Sequence, residues 1–402
     1  MTNTFHRTFK LISPFSILGL GLLLLAGCTE PYLPDALKSP PSYLVVDGFL
    51  NAQGVTTIKL SRTHPVGAKT APPVETKATL YVEDEAGVRV LLREAPAGNY
   101  TSAFTTMNLA RKYRLHINTL AGKEYISDFV PAKITPPIDA VSWRAENAGL
   151  NIYVSTHDNA NNTRYYRWET DETWEITPVY QPTVEYVNRA MRNVVAPYPT
   201  ACWGTALSTA VWLDKTTALS QDMVTDFRVM HLPSTSARLT TRYSILVQQH
   251  ALTKDEYAYW ELLRKNTESI GSLFDPQPSQ LTGNVRCLTN PADLAIGFIG
   301  AHSRTEKRIF IRRPELPSNW NVPTGYETCL PPDTVNLYPP GKNPPTPAEI
   351  MQATFGVAGG IYVPINPLYS PASSTVVAYT SKNVDCIDCR TRGSSIKPSY
   401  WP

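Results

Sequence analysis

Lys112-Tyr-Arg-Leu-His-Ile-Asn-Thr119 alternates Tyr113, Leu115 and Ile117 with Arg114, His116 and Asn118. A period of two places one set on a buried face and the other towards water, which is the pattern of a half-buried β-strand. On this reading His116 lies on the polar face and is solvated. The same signal recurs on both sides. Tyr43-Leu-Val-Val-Asp-Gly-Phe49 opens a series, and Thr56-Thr-Ile-Lys-Leu-Ser-Arg62 follows with Ile58 and Leu60 opposite Thr57, Lys59 and Ser61. Ala78 to Glu83 and Val88 to Arg93 flank the turn Asp84-Glu85-Ala86-Gly87, a hairpin signal. After Ala121-Gly122-Lys123 a further run leads to Val130. So many short strands with turn signals between them predict a β-sandwich of immunoglobulin or transthyretin type over residues 42–133.

Ile134-Thr-Pro-Pro-Ile138 interrupts the alternation and reads as a boundary. A larger β-rich domain is expected over 139–402, with strands near 140–144, 150–156, 164–176, 227–232, 241–250, 295–301 and 308–312. Thr253-Lys-Asp-Glu256 has capping-box spacing, with Glu256 placed to reach back to the helix start. It predicts a helix over about 254–270, with Tyr257, Trp260, Leu263 and Ile270 on one face and Gly271 as its stop. A second, shorter helix is predicted from Thr346-Pro-Ala-Glu349 to Gly356, with Pro347 at its first position. Between them lies a proline-rich loop, residues 314–347, holding ten prolines.

The chain has 402 residues and begins with an address. His6, Arg7 and Lys10 precede a mostly apolar run from Leu11 to Leu25, then Ala26-Gly27-Cys28, the order of a secretory signal. The run is shorter than the ~20 residues of a membrane span and contains Pro14. Small residues before a cysteine make a lipobox, so residues 1–27 are expected to be removed and Cys28 to be acylated. Residues 28–41, with four prolines, form a semi-rigid tether. Removal of Arg7 and Lys10 leaves 35 basic against 34 acidic residues (37 − 2 and 34 − 0). A nucleic-acid partner is not expected, because no basic stripe is present; the expected membrane contact is the bilayer, through Cys28.

Export makes disulfide bonding the default for Cys202, Cys287, Cys329, Cys386 and Cys389, an odd set that leaves one unpaired. At least one bond is expected among Cys329, Cys386 and Cys389. Either a local Cys386–Cys389 ring or a link from one of them to Cys329 satisfies that expectation.

No zinc-protease, nucleophile-elbow, phosphate-loop or dinucleotide motif occurs, so no catalytic residue, metal ligand or cofactor is assigned. His157-Asp158 with Asn159, Asn161 and Asn162 lacks the acidic count and glycine of a calcium loop and reads as a polar turn. The aromatics Tyr165, Tyr166, Trp168 and Trp174 are expected to pack in a core. Two functional classes remain: a non-enzymatic accessory or ligand-binding protein, and an envelope hydrolase with a dispersed carboxylate site. Absence of a catalytic signature favours the first. Its partner contact is expected on the proline-rich loop, through Trp320, Tyr326 and Tyr338; the alternative is that these aromatics, Trp320 above all, fold back and cap the domain's own core.

Several segments resemble a family of Bacteroidota outer-membrane lipoproteins, domain-of-unknown-function family 4249. They are the lipobox with Tyr43-Leu-Val-Val-Asp-Gly-Phe-Leu50, Tyr165-Tyr-Arg-Trp-Glu169 and Tyr243-Ser-Ile-Leu-Val-Gln-Gln-His250. Leu273-Phe-Asp-Pro-Gln-Pro-Ser279 with Gly283-Asn284, Lys307-Arg-Ile-Phe-Ile311, and Asp385-Cys-Ile-Asp-Cys-Arg390 with Lys397-Pro-Ser-Tyr-Trp401 match more strongly. Members are typically encoded beside TonB-dependent receptors. The resemblance therefore implies a lipid-anchored outer-membrane protein, on either the periplasmic or the cell-surface face, that accompanies such a transporter. It carries over no functional residue except the acylated Cys28.

Overall fold

The computed structural model describes residues 42–65, 68–268, 281, 283–356 and 361–402. The signal segment, Cys28, the tether to residue 41, Ile270, Gly271 and the Leu273–Ser279 motif lie outside the described residues.

The first eight strands are β1 (Leu44–Asn51), β2 (Gln53–Arg62), β3 (Thr79–Asp84), β4 (Arg89–Glu94), β5 (Asn99–Thr106), β6 (Lys112–Asn118), β7 (Glu124–Ser127) and β8 (Val130–Lys133). Next come β9 (Ile138–Glu146), β10 (Gly149–Asp158), β11 (Tyr165–Ile176), the hairpin β12 (Val184–Val187) and β13 (Ala190–Asn193), β14 (Cys202–Leu207), β15 (Trp212–Lys215), β16 (Asp222–Pro233) and β17 (Arg242–Ala251). Helix α1 (Lys254–Glu268) precedes β18 (Val285–Cys287), β19 (Ala295–Ile296), β20 (Ala301–His302) and β21 (Arg304–Arg312). The chain ends with β22 (Asp333–Asn336), α2 (Pro347–Phe355), β23 (Tyr362–Tyr369) and β24 (Val376–Asn383).

The protein is mainly β, but residues 42–133 do not form the expected two-sheet sandwich. Their strands belong to one sheet that closes into an eight-stranded barrel, in the order β6-β3-β4-β5-β2-β1-β20-β8 and back to β6. Closure depends on β20, a two-residue strand from far along the chain, which pairs in parallel with both β1 and β8. β18 and β19 return to the same sheet, on β7 and β1. One core fills the barrel, drawn from Leu44, Ile58, Leu60, Leu80, Leu115, Ile117 and Tyr125, together with Ile299 and Ala301 of the returning segment. An open sheet would leave β1 and β8 as bare edges, and closure removes them.

Beyond β8, the sheet β16-β10-β9 faces a second sheet built on β11 and β17, with β14, β15 and β21 alongside. They share a core containing Ile152, Val154, Val229, Tyr166, Trp168 and Tyr243. Tyr166 and Trp168 are therefore core residues, as their strand position predicts. A third sheet, β22-β24-β23, carries α2 on one side. Helix α2 starts as its sequence predicts: Thr346 and Glu349 cap each other reciprocally, with Pro347 in the first turn and Gly356 after the last.

Candidate functional site

The barrel and the paired sheets meet along a buried polar seam. Gln249, wholly buried on β17, donates from its amide to the Pro136 carbonyl (2.9 Å) and Thr156 Oγ1 (3.0 Å), and accepts from Trp168 Nε1 (2.9 Å). Thr135 takes the Ala251 N–H on its hydroxyl (3.0 Å) and donates its own N–H to Ser303 Oγ (2.8 Å). Lys133 reaches out of β8 to donate to the carbonyls of Thr163 (3.0 Å) and Leu252 (2.9 Å). Burial lowers its pKa, while the charges of Glu256, Asp222 and Asp158 act in the opposite sense. Hydrogen bonds are directional, so this set fixes the orientation of the barrel on the sheets. The Ile134–Ile138 break is hydrogen-bonded on both sides, through Thr135 and the Pro136 carbonyl.

Ionisable groups gather deeper in the seam. Phe49 of β1 stacks on His302 of β20 (ring centroids 4.4 Å apart) and meets His250 of β17 edge-on (5.1 Å). His302 Nε2 lies 3.3 Å from Glu256 Oε1 of α1, both side chains buried. His250 is sealed from solvent, with Glu169 Oε2 at 3.7 Å from its Nε2. On the same strand as Glu169, Arg167 pairs with it (2.6 Å) and lies 4.0 Å over the Trp260 ring. Burial pushes the His250 imidazole down to about 4, against the pull of Glu169, so the ring is neutral near pH 7. Burial works against ionisation of Glu256, but His302, Arg167 and His250 outweigh it and hold its carboxyl below the usual range. Glu169 is likewise held low by His250 and Arg167 against its own desolvation.

This cluster could not be read from the sequence. Glu256 is spelled as a cap, and the Thr253 hydroxyl does accept the Glu256 N–H (3.2 Å), but the carboxylate lies buried against His302. His116 is also corrected: it is buried, with Nδ1 bonded to the Tyr81 hydroxyl and Nε2 to Glu124 (2.5 Å). The outer face of β6 is covered at His116, while Lys112 is exposed and Arg114 and Asn118 are half-buried.

Among the residues proposed for a partner, Trp320 and Tyr326 are buried in cores of the chain itself. Their rings have little surface left for a partner, because the proline-rich loop folds back and packs them inward. Tyr338 is exposed. Two disulfides hold the carboxy-terminal region, Cys329–Cys386 and Cys202–Cys389, so the local Cys386–Cys389 ring does not form. Cys287 is free and buried in the barrel core. Asp158 accepts N–H groups of Ala160, Asn162 and Thr163 (2.9 Å each), which accounts for the His157–Asn162 stretch as a turn. Among the described residues no three His, Cys, Asp or Glu side chains converge as metal ligands. Among them, too, no helix is long and apolar enough to cross a membrane.

The family model described as domain of unknown function DUF4249 matches residues 29–308, which span the whole barrel, the seam and nearly all of the paired sheets. The chain belongs to the DUF4249 family. The match ends within β21, before the proline-rich loop and the third sheet. No curated protein matches the chain. The DUF4249 region thus contains Lys133, Glu169, His250, Glu256 and His302 together, and excludes Trp320, Tyr326 and Tyr338.

Proposed function

We propose that this DUF4249 protein is an envelope lipoprotein of Bacteroidota type, acylated on Cys28, that acts as a non-enzymatic accessory partner of a TonB-dependent outer-membrane transporter. The two long-range disulfides carry this reading, because such bonds persist in the oxidising compartment to which the lipobox would send the chain. The ionisable groups of the seam support it. Glu256 meets His302 and Lys133 meets the Thr163 and Leu252 carbonyls, contacts that orient one layer on another, and His250 and Glu256 are closed to any solute. What the chain offers a partner is shape.

Affinity purification of the tagged protein from detergent-solubilised membranes tests the reading. A transporter barrel should co-purify in stoichiometric amount, and Cys28→Ala should leave the protein unprocessed or release it from the membrane fraction. A processed, membrane-bound Cys28→Ala protein would overturn the anchor. Purification without any outer-membrane barrel would overturn the partner.

A further inference from the structure

The barrel is packed unevenly along its axis. On β2 the inward residues run Leu60, Ile58, Thr56, Gly54, and on β3 they run Leu80, Val82, Asp84. On β5, Tyr100 gives way to Ser102 in the same direction, and on β4, Leu92 gives way to the partly buried Val90. Large side chains therefore fill the end where β1 begins, while at the other end β2–β5 present small ones beside Leu50, Met107 and Tyr113. Eight strands enclose an interior that side chains can just fill or that can hold one small ligand. Here the small residues leave a cavity of about 240 Å³ at the mouth, lined inside by Thr56, Val82, Val90, Ser102, Met107 and Tyr113 and rimmed by polar residues that include Asp84, Asn108 and Arg111.

The buried polar groups around this space already have partners, and the unpaired ones, on Thr106 and Asn108, lie exposed at the lip. Ser102 Oγ accepts the Thr56 N–H (3.0 Å) and donates to the Ala103 carbonyl (2.7 Å). Thr56 Oγ1 accepts the Asn51 N–H (2.9 Å), and the Tyr113 hydroxyl accepts the Asn108 N–H (2.7 Å). At the lip, Asp84 is occupied by the N–H groups of Ala86 and Val88 (2.9 Å each) and by Arg111 (2.5 Å). A ligand here meets valine, methionine and threonine methyl groups, and no buried donor or acceptor waits for it. Such a lining rewards an apolar occupant and gives a hydroxyl-rich one nothing in exchange for its lost water.

We infer that the mouth of the barrel is a binding site for one compact, apolar, aromatic-sized molecule, held beneath the loop 107–111. An apolar cavity of ~150 Å³ takes a benzene ring, so this one has room for a fused bicyclic ring. The inference goes beyond the anchoring and docking role and stands without it.

Indole is a suitable probe, read by methyl-resolved NMR of the disulfide-bonded chain. Millimolar indole should shift the methyl resonances of Val82, Val90 and Met107 and leave Leu60 and Ile117 at the filled end in place. Glucose at the same concentration should shift none of them. Val90→Phe places a ring in the space and should weaken indole binding by about tenfold or more, a loss of at least ~1.4 kcal/mol. Xenon under pressure gives a second measurement that needs no variant, and it should occupy the mouth in a crystal. The inference fails if indole leaves these methyls unmoved, if glucose moves them equally, if a folded Val90→Phe binds as the parent does, or if xenon avoids the mouth.

Discussion

Acid should loosen the seam through His250, at a pH where ordinary carboxylates are still ionised. The unfolded chain takes up a proton on this residue near its ordinary value of 6.5, whereas the folded chain does so only near 4. Between those values the unfolded state binds more protons, so stability falls as pH falls, and the full loss is present below about 4. At about 1.4 kcal/mol for each pH unit, the drop from 6.5 to about 4 costs about 3 kcal/mol. The groups facing His250 are Glu169 and Arg167 from β11, Glu256 from α1 and His302 from β20. Glu169 and Glu256, held below 4.5, lose their contribution only as pH falls through the carboxylate range, so the two effects occupy different windows. His157 on the surface is raised by Asp139 and tilts the profile the other way, but weakly, because both groups are exposed. The measurement is urea unfolding from pH 7.5 to 4.5 with disulfides intact, for the parent and for His250→Gln. Glutamine has no charge to gain, so over this range the variant should lack about 2–3 kcal/mol of the parent's fall in stability whatever its absolute stability. Parallel profiles for the two proteins would refute the reasoning.

Lys133→Met should lower stability by about 2 kcal/mol, because the Thr163 and Leu252 carbonyls lose a buried donor; an unchanged unfolding midpoint in urea would show that water replaces the ammonium freely. Replacing Cys329 and Cys386 together with Ser should cost about 2–4 kcal/mol, since their bond closes a long loop (sequence separation 57). Hydrogen exchange should show that loss in the third sheet and the proline-rich loop, with the barrel amides still protected. Exchange that rises equally in the barrel would mean the bond supports the whole chain.

What the sequence showed and what it hid divide along a physical line. Alternation is local, so β2 and β6 could be read directly, and the cap of α2 could be read from four residues, Thr346 to Glu349. Closure is not local. β20 has two residues and β18 three, too few for a period to appear, yet without β20 the sheet stays open. The same alternation that predicted β2 also held the barrel mouth, because Leu60 and Ile58 give way to Thr56 and Gly54 along one face; only closure turns that sequence into a cavity. The cysteines illustrate the limit from the other side. Cys386 and Cys389 are neighbours in the chain, and their short spacing invited a local ring, but their partners Cys329 and Cys202 come from segments 57 and 187 residues away.

Glu256 belongs to both categories. Its spacing from Thr253 marked the helix start correctly, because the backbone half of a capping box depends only on neighbours. Its side chain went elsewhere, because folding brought His302 within 3.3 Å in a place closed to solvent. An exposed carboxylate at a helix start gains a fraction of a kcal/mol from the helix dipole. A buried one left without a partner would cost several kcal/mol. Avoiding that cost outweighs the gain from the dipole, so Glu256 follows the imidazole. The residue whose spacing marks the start of the helix also fastens that helix to the barrel.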